Sequence, residues 1–216
     1  MARGLADLLR LGPRRAEAPP AAAGGDPDAG AFHSKGFARF LTALSGREAP
    51  VIVDLGPVVG SNVTFYGERL GCKLFVEDLF TDLERFAKSE RLEELPEHLS
   101  TRLTHADGSV DAILCWDLFD YLPRSAAHAL ARALVRVLKP GGALFGLFGT
   151  LSLETAHQTR FIIVDDGRLR HRTYPSAPSR RQVFQNRDIQ KMFDGLTVSD
   201  SFLLKTNTRE ILLRKP

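Results

Sequence analysis

The sequence predicts an α/β protein with a Rossmann-like, doubly wound and mostly parallel sheet that ends in an antiparallel C-terminal pair of strands. Between residues 50 and 150, short apolar segments alternate with amphipathic segments of helical period. This alternation is typical of parallel strands whose connecting helices cover both faces of the sheet. Right-handed crossovers leave few topologies, and the doubly wound sheet is the commonest of them. After Thr150 the pattern changes to pairs of strands separated by turns.

Two parts of unequal size are expected along the chain: an N-terminal arm over residues 1–31 and a folded domain over residues 32–216. Residues 13–30 are rich in Ala, Pro and Gly and have few large apolar side chains, so we expect a flexible linker. Residues 1–12 place leucines on one side of a short amphipathic helix. That segment is either a frayed tail, which we favour, or a docking element for a partner protein or a membrane surface.

In the first half of the domain, each element follows from a local pattern. The apolar residues between Phe37 and Leu44 recur at the spacing of one helix face. Thr81 and Glu84 have the spacing of a capping box, which opens a helix. The expected elements are a helix at 37–44, a strand at 51–55, a helix at 61–70, a strand at 73–76 and a helix from 81.

The second half of the domain begins with a continuous apolar run that predicts a buried strand. Ser125 is suited to cap the helix that follows, and the turn sequence from Asp165 to Gly167 predicts a β-hairpin. The expected elements are a strand at 110–115, a helix from 125, a turn at 139–142, a strand at 143–148, a hairpin over 161–173, a helix at 186–193 and closing strands at 196–204 and 209–214.

Composition excludes several classes of protein. The formal net charge of +3 is too small, and the basic residues too dispersed, to favour a nucleic-acid-binding protein. No apolar run is long enough to cross a bilayer, and the N-terminus is a poor signal peptide. Two cysteines, Cys72 and Cys115, are too few for a disulfide scaffold, so we expect a cytoplasmic protein with free thiols. The six histidines lack metal-ligand spacing, and no metal site is predicted.

The segment VDLGPVVGSN marks the expected ligand-binding edge of the sheet. Ligands of open parallel sheets lie beyond the carboxyl ends of the strands, where the strand order reverses. Gly56 permits a tight turn and close approach of a ligand to the backbone, while Gly60 permits close packing of the next helix. The N-terminus of that helix offers unpaired N–H groups to a carboxylate. The loop matches neither the dinucleotide fingerprint nor the P-loop.

Glu77 and Asp78 follow the second strand of the sheet. A carboxylate at this place accepts hydrogen bonds from both hydroxyls of a ribose, as in dinucleotide-binding folds. Glu77 is the favoured ribose ligand and Asp78 the reserve candidate. The alternative is that both acids belong to a solvated loop.

Four segments resemble the motifs of class I S-adenosylmethionine-dependent methyltransferases. VIVDLGPVVG is similar to the first motif of that family, and LFVEDL to the second. DGSVDAILCWDLFDYLP is similar to the fourth-strand segment, and LVRVLKPGGALF to the helix, turn and strand that follow it. The closing strand pair also fits the family, so the resemblance spans about residues 49–215.

The resemblance implies S-adenosylmethionine as cofactor and assigns places around it to particular residues. Asp54, Gly56 and Gly60, with Pro57 between the glycines, frame the methionine end, and Glu77 with Asp78 serves the ribose. Cys115, Trp116 and Asp117 line the reaction side. The sulfonium is already activated, so positioning supplies much of the rate.

Several positions depart from the family pattern. Val58 replaces the middle glycine, so the loop either takes another path or fills space that the cofactor needs. Residues 89–102 look helical and charged, which leaves at most a short edge strand over 99–104 where the family has its third strand. The family's adenine-contacting acid therefore has no clear match; Asp107 is the nearest candidate but is better explained as part of a turn.

No catalytic group is assigned from the sequence. His105 is a candidate base, although a lone loop histidine is more often a solvated side chain. Asp117 and Asp120 are candidates to position a substrate, and Asp120 is equally suited to a surface cap. Arg180 and Arg181 lie on a surface for an anionic ligand or, as we favour slightly, on a solvated face.

The leading functional hypothesis is a methyltransferase that uses S-adenosylmethionine and acts on an unidentified acceptor. The first rival is a non-catalytic methyltransferase-like scaffold, for which the arm would serve as a site for a protein partner. The second rival is a protein that binds another nucleoside-containing ligand. Binding of the cofactor separates the first hypothesis from the scaffold.

Overall fold

The computed structural model of the protein describes residues 30–216, apart from the side chain of Pro178. The helix expected over residues 1–12 and nearly all of the expected linker lie outside the described residues. The strands are β1 (Ala31–His33), β2 (Val51–Asp54), β3 (Lys73–Val76), β4 (Val110–Trp116), β5 (Leu138–Gly149), β6 (Glu154–Asp165), β7 (Arg168–Arg180), β8 (Thr197–Leu203) and β9 (Thr208–Arg214). The α-helices are α1 (Lys35–Leu44), α2 (Gly60–Leu70), α3 (Leu79–Lys88), α4 (Leu95–Arg102), α5 (Arg124–Val137) and α6 (Asn186–Met192).

A six-stranded sheet in the order β3-β2-β4-β5-β9-β8 forms the centre of the fold. The pairs β3–β2, β2–β4 and β4–β5 are parallel, whereas β9 is antiparallel to both β5 and β8. Asp54, the last residue of β2, pairs in register with Val76 of β3 and Leu114 of β4. The carboxyl ends of these three strands therefore lie side by side, as expected for a doubly wound Rossmann-like sheet.

Two apolar clusters hold the helices against the two faces of this sheet. One cluster joins apolar residues of α3, α4, α5 and α6, with Leu130 and Leu134 of α5 fully buried. The other cluster joins α1 and α2 with Phe145 of β5 and with part of a second sheet. Helices cover both faces because nearly every residue of the central strands is apolar and buried.

The second sheet has three strands in the order β1-β7-β6, all antiparallel. Its turn is closed by the carboxylate of Asp165, which accepts a 2.9 Å hydrogen bond from the N–H of Gly167. The hairpin β6–β7 attaches to α2 through Asn62, whose amide donates to the carbonyl of Phe161 (2.9 Å) and accepts from the N–H of Ile163 (2.8 Å). The hairpin predicted from sequence is confirmed, and it is longer than expected.

The N-terminal and C-terminal elements meet at Glu210 of β9. Its carboxylate is buried and accepts a 2.7 Å hydrogen bond from the N–H of Gly36 in the first turn of α1. A negative group at this place suits the positive end of the helix dipole. This contact ties the first helix of the domain to its last strand.

The two predicted helix caps were wrong. α3 begins at Leu79, and Asp78, with φ of 40°, caps it by accepting hydrogen bonds from the N–H and hydroxyl of Thr81. Ser125 lies inside α5, whose cap position is Pro123. A left-handed residue before a helix is set by the preceding strand and turn, so the local pattern at Thr81 did not show it.

The segment between β3 and β4 contains no strand in the described structure. A 3-10 turn at Leu92–Glu94 leads into α4, and the edge strand considered over 99–104 is absent. The expected turn at 139–142 is present as a bulge within β5, where Val110 pairs with Leu138 and Ala112 already pairs with Ala143. The parallel part of the sheet therefore ends at β3.

No helix among residues 30–216 combines the length and hydropathy needed to span a bilayer. The cytoplasmic location inferred from the sequence stays a prediction.

Candidate functional site

The candidate site lies at the carboxyl ends of β3, β2 and β4. The backbone continues to pair beyond the strands: the N–H of Glu77 donates to the carbonyl of Asp54 (2.8 Å), and the N–H of Leu55 donates to that of Leu114 (2.9 Å). These contacts fix the first residues of the loops. Asp54, Glu77 and Asp117 are thereby brought to one edge of the sheet, as the sequence predicts for parallel strands.

Asp54 is buried, and one of its carboxylate oxygens accepts hydrogen bonds from other residues of the protein. Its Oδ1 accepts a 2.8 Å hydrogen bond from the N–H of Gly56 and a 2.7 Å hydrogen bond from Nε1 of Trp116. Its Oδ2 has no hydrogen-bond partner among the described residues. Burial raises the pKa of Asp54 from 3.8 to about 6, against the lowering effect of the two hydrogen bonds. A cation next to Oδ2 would restore the charged form.

Gly56 makes room for Trp116 in the described structure. A Cβ on Gly56 would lie 2.7 Å from Cδ1 of the indole, closer than real Cβ contacts allow. Trp116 has φ of 49°, and its ring stacks on Phe161 of the hairpin at 5.3 Å between centroids and 6° between planes. In the described structure it is a protein side chain that approaches the backbone closely at Gly56. The approach of a cofactor there remains a prediction.

Val58 does not obstruct the loop. Its side chain is 62% exposed, and its backbone is not among the described residues with positive φ. Two alternatives were considered from the sequence, and the backbone of Val58 agrees with the first, in which the loop takes another path. A β-branched residue is therefore not strained at this position. Pro57, beside it, is half-buried.

The first turn of α2 is open. A Cβ on Gly60 would meet no atom within 4 Å, so the close helix packing expected of Gly60 is not observed. Val59 supplies no side-chain cap, and the first turn carries no acidic residue. The N–H groups of Asn62 and Val63 donate to the carbonyl of Val59, whereas those of Gly60 and Ser61 have no acceptor among the described residues. The helix dipole favours an anion at this end.

One of the two carboxylate oxygens of Glu77 is hydrogen-bonded within the protein. Its Oε2 accepts a 2.7 Å hydrogen bond from Nη1 of Arg102, and its carbonyl accepts one of 2.9 Å from Nη2. Oε1 has no hydrogen-bond partner among the described residues. Asp78 caps α3 through Thr81, and its place as the reserve candidate for a ribose stays a prediction. Arg102 was not foreseen, because it reaches Glu77 from α4, 25 residues away.

Asp117 and Asp120 share the guanidinium of Arg181 beneath the hairpin. Nη2 of Arg181 lies 2.6 Å from Oδ2 of Asp120 and 3.3 Å from Oδ2 of Asp117. Asp120 is 0% exposed and also accepts hydrogen bonds from the N–H of Gly149, so the surface cap considered for it was wrong. Burial raises the pKa of Asp117 to about 6 and that of Asp120 to about 7, partly offset by Arg181.

The network makes Arg181 a half-buried structural cation. The sequence placed it on a solvated or anion-binding face, whereas its partners are two acids of the chain. Oδ1 of Asp117 is buried without a hydrogen-bond partner, and Tyr121 donates a 3.3 Å hydrogen bond to Oδ2 of the same residue. One oxygen of Asp117 is therefore left without a hydrogen-bond partner inside the protein, shielded from solvent.

The remaining candidates lie away from this edge or inside the core. His105 precedes β4, packs edge-on against Phe75 at 4.8 Å and has both ring nitrogens buried without a hydrogen-bond partner, so the solvated side chain favoured from the sequence was wrong. Asp107 lies in the same loop, in a turn, and pairs with Arg136 at 2.6 Å, which confirms the turn interpretation. Cys115 is buried, which raises its thiol pKa well above the usual value, and it is free, as is Cys72.

Three acids at the ends of three adjacent strands thus keep one oxygen each without a partner. They are Glu77 after β3, Asp54 at the end of β2 and Asp117 after β4. This edge stands next to a helix N-terminus that has no side-chain cap. It is suited to a ligand that carries both cationic and anionic groups together with hydroxyls.

Comparisons with known proteins agree with this fold and with the position of the candidate site. Residues 53–146, less than half of the chain, match the family model described as methyltransferase domain. The match begins in β2 and ends in β5, so it contains the three strand ends of the candidate site. The resemblance of this part of the chain to class I methyltransferases, stated from the sequence, is therefore confirmed.

Solved structures show the same architecture at low sequence identity. An S-adenosylmethionine-dependent methyltransferase from Clostridium acetobutylicum has a TM-score of 0.50 at 12% identity, over 84% of this chain and 91% of that chain. The CcbJ methyltransferase from Streptomyces caelestis has a TM-score of 0.50 at 16% identity, over 89% and 97%. At these identities the likeness concerns the fold. A search of curated proteins found no match.

Proposed function

We propose that the protein is a methyltransferase that uses S-adenosylmethionine and acts on an acceptor still to be identified. The observation that carries the proposal is the row of free carboxylate oxygens on Glu77, Asp54 and Asp117, beside the open first turn of α2. The family match over residues 53–146 supports it. So does a neighbour from Burkholderia thailandensis, a 1,6-didemethyltoxoflavin-N1-methyltransferase described with S-adenosylhomocysteine bound, with a TM-score of 0.50 at 16% identity over 84% and 77% of the chains.

The residues present fit the charges of this cofactor. S-adenosylmethionine carries an ammonium and a sulfonium, and the unpartnered Oδ2 of buried Asp54 would be stabilised by a cation. The carboxylate of the cofactor is suited to the N–H groups of Gly60 and Ser61 in the first turn of α2. The free Oε1 of Glu77 is suited to the ribose hydroxyls.

When bound, the cofactor supplies a methyl group already activated by the positive sulfur, so the protein is required to bind, orient and shield. Asp54 holds the loop through Gly56 and holds the end of β4 through Trp116. The hairpin covers Trp116 through Phe161, which limits the access of water to this edge. Asp117 follows the end of β4 at the same edge, and no residue is assigned as a base.

Binding of S-adenosylhomocysteine tests the proposal directly. Trp116 is the only tryptophan of the chain, so its fluorescence reports on the loop around Asp54 and Gly56. We expect a saturable change in its emission with a dissociation constant below the millimolar range, and the same constant from calorimetry. Loss of a hydrogen bond to a charged group costs about 1.5–3 kcal/mol, so Glu77→Gln should weaken binding about 10-fold to 100-fold.

Asp107→Asn is the matched control for Glu77→Gln, because Asp107 is an exposed acid that also pairs with an arginine. Its affinity should equal that of the unmodified protein. Absence of any binding at millimolar ligand would overturn the proposal in favour of a non-catalytic, methyltransferase-like scaffold. Equal losses in both variants would remove the ribose role of Glu77.

A further inference from the structure

A cavity of about 250 Å³ lies between α3, the loop after β4 and the outer half of β7. Leu83 and Ala87 of α3 form one wall, and Ser176 of β7 contributes to the other. Tyr121 and Pro123, from the loop after β4, complete the enclosure. None of these residues belongs to the cofactor contacts proposed above.

The lining of the cavity is mostly apolar and its charges balance. Phe80 and Leu92 add apolar surface, whereas Gln158 and Gln182 add amides that both donate and accept hydrogen bonds. Glu84 and Arg180 contribute one charge of each sign. Such a lining favours an uncharged molecule with one or two polar groups over an ion or a polymer.

The cavity is connected to the candidate site through Tyr121. The ring of Tyr121 lines the cavity and meets Phe80 edge-on at 5.8 Å, while its hydroxyl donates to Asp117 at the end of β4. On the other side, α3 begins two residues after Glu77. Tyr121 therefore lies between the cavity and the edge where the methyl donor is proposed to lie, which makes the two places neighbours.

The size of the cavity limits its occupant. An apolar cavity of about 150 Å³ holds one benzene molecule, so about 250 Å³ corresponds to roughly one or two fused rings. Resting on the proposed function, we propose that this cavity binds the methyl acceptor, and that the acceptor is an uncharged small molecule with one or two rings and a hydroxyl or amino group. The amides of Gln158 and Gln182 orient its polar group, and the apolar residues of α3 hold its rings.

The probe 2-naphthol tests the cavity without knowledge of the natural acceptor. Calorimetry should show binding of 2-naphthol to the unmodified protein. Ala87→Phe places a ring into the cavity from α3 and should weaken binding at least tenfold. Ala106→Phe makes the same change at an exposed loop position and should leave binding unchanged. Binding to Ala87→Phe within twofold of the unmodified protein, or no binding to the unmodified protein at millimolar probe, would overturn the inference.

Ser176→Phe provides a second, independent variant should Ala87→Phe fail to fold. It fills the cavity from β7, and the same tenfold loss is expected. The affinity of both folded variants for S-adenosylhomocysteine, read from Trp116 fluorescence, should stay within threefold of the unmodified protein, which distinguishes a lost acceptor pocket from a lost cofactor site.

Simultaneous binding separates an acceptor pocket from a nucleoside pocket. Protein saturated with S-adenosylhomocysteine should bind 2-naphthol with the same or higher affinity. Competition between the two ligands would overturn the inference, because the cavity would then belong to the cofactor. If 2-naphthol binds and S-adenosylhomocysteine does not, the proposed function fails and the acceptor role fails with it; the reverse result leaves the proposed function standing and overturns only the acceptor pocket.

Discussion

Nε1 of Trp116 donates a 2.7 Å hydrogen bond to Oδ1 of Asp54, which joins the carboxyl ends of two adjacent parallel strands. The same oxygen accepts from the N–H of Gly56, so one buried atom determines both the course of the loop and the position of the indole. Phe161 then stacks on that indole from the hairpin. A change at any of these residues is expected to reach the whole edge.

Alanine at the two loop glycines should have opposite effects on stability. In Gly56→Ala the new Cβ would lie 2.7 Å from Trp116, and overpacking of this kind costs about 1–3 kcal/mol. In Gly60→Ala the Cβ meets open space and the helix gains a better former, which stabilises by about 0.4–1 kcal/mol. Urea unfolding measures both. Equal effects would show that the Gly56 turn does not depend on contact with Trp116.

Asp54→Asn should stabilise the free protein at neutral pH. Between about pH 4 and pH 6 the native Asp54 keeps a proton that the unfolded chain has lost, so the free energy of unfolding falls as the pH rises through this range. A pKa raised from 3.8 to about 6 corresponds to a loss of up to about 3 kcal/mol. The side chain introduced by Asp54→Asn cannot ionise, so the free energy of unfolding of this variant does not fall in this way. Urea unfolding at about pH 4 and about pH 7 should show its advantage only at the higher pH, and parallel curves would contradict the assignment.

Arg181→Met should destabilise the protein most strongly above neutral pH. It leaves Asp117 and Asp120 buried without their cation, and removal of one partner from such a group costs about 3–5 kcal/mol when the acids are charged. Below about pH 6 both acids hold protons, so the loss should shrink. Arg180→Met, at the exposed neighbour, serves as control. A loss that does not change with pH would argue against the shared ion pair.

Asn62→Ala should loosen the hairpin without unfolding the domain. The substitution removes the acceptor of the buried N–H of Ile163 and the donor to the carbonyl of Phe161, with a cost of about 1–3 kcal/mol. Hydrogen exchange at Ile163 should accelerate, and the emission of Trp116 should shift as its stacking on Phe161 weakens. Thr64→Ala, on the exposed side of the same helix, should change neither signal.

The sequence predicts those parts of the fold that depend on local periodicity. The elements from β2 to β3 and the closing strands are found within one or two residues of their expected bounds, because apolar spacing alone specifies them. Helix starts were less predictable. Asp78 caps α3 from a left-handed conformation that the end of β3 imposes, and Pro123 takes the place expected for Ser125. Such geometry depends on the chain before the helix.

The site could be predicted in position but not in contacts. Parallel strands bring Asp54, Glu77 and Asp117 to one edge, and this follows from the order of the elements. The arginines that pair with Glu77 and Asp117 come from distant parts of the chain. Arg102, the partner of Glu77, lies in α4, and Arg181, the partner of Asp117, follows the hairpin. Pairing across such separations leaves no local signal, so the sequence could not show which carboxylate oxygens remain free.

The position of β9 between β5 and β8 has a consequence for folding during synthesis on the ribosome. Until residues 208–214 emerge, the nascent chain exposes the apolar edge of β5, and unpaired edges of this kind promote aggregation. The first turn of α1 is also incomplete until then, because Glu210 of β9 supplies the acceptor for the N–H of Gly36. Completion of the domain therefore depends on contacts between its first helix and its last strand, and contacts so distant in sequence are expected to slow folding.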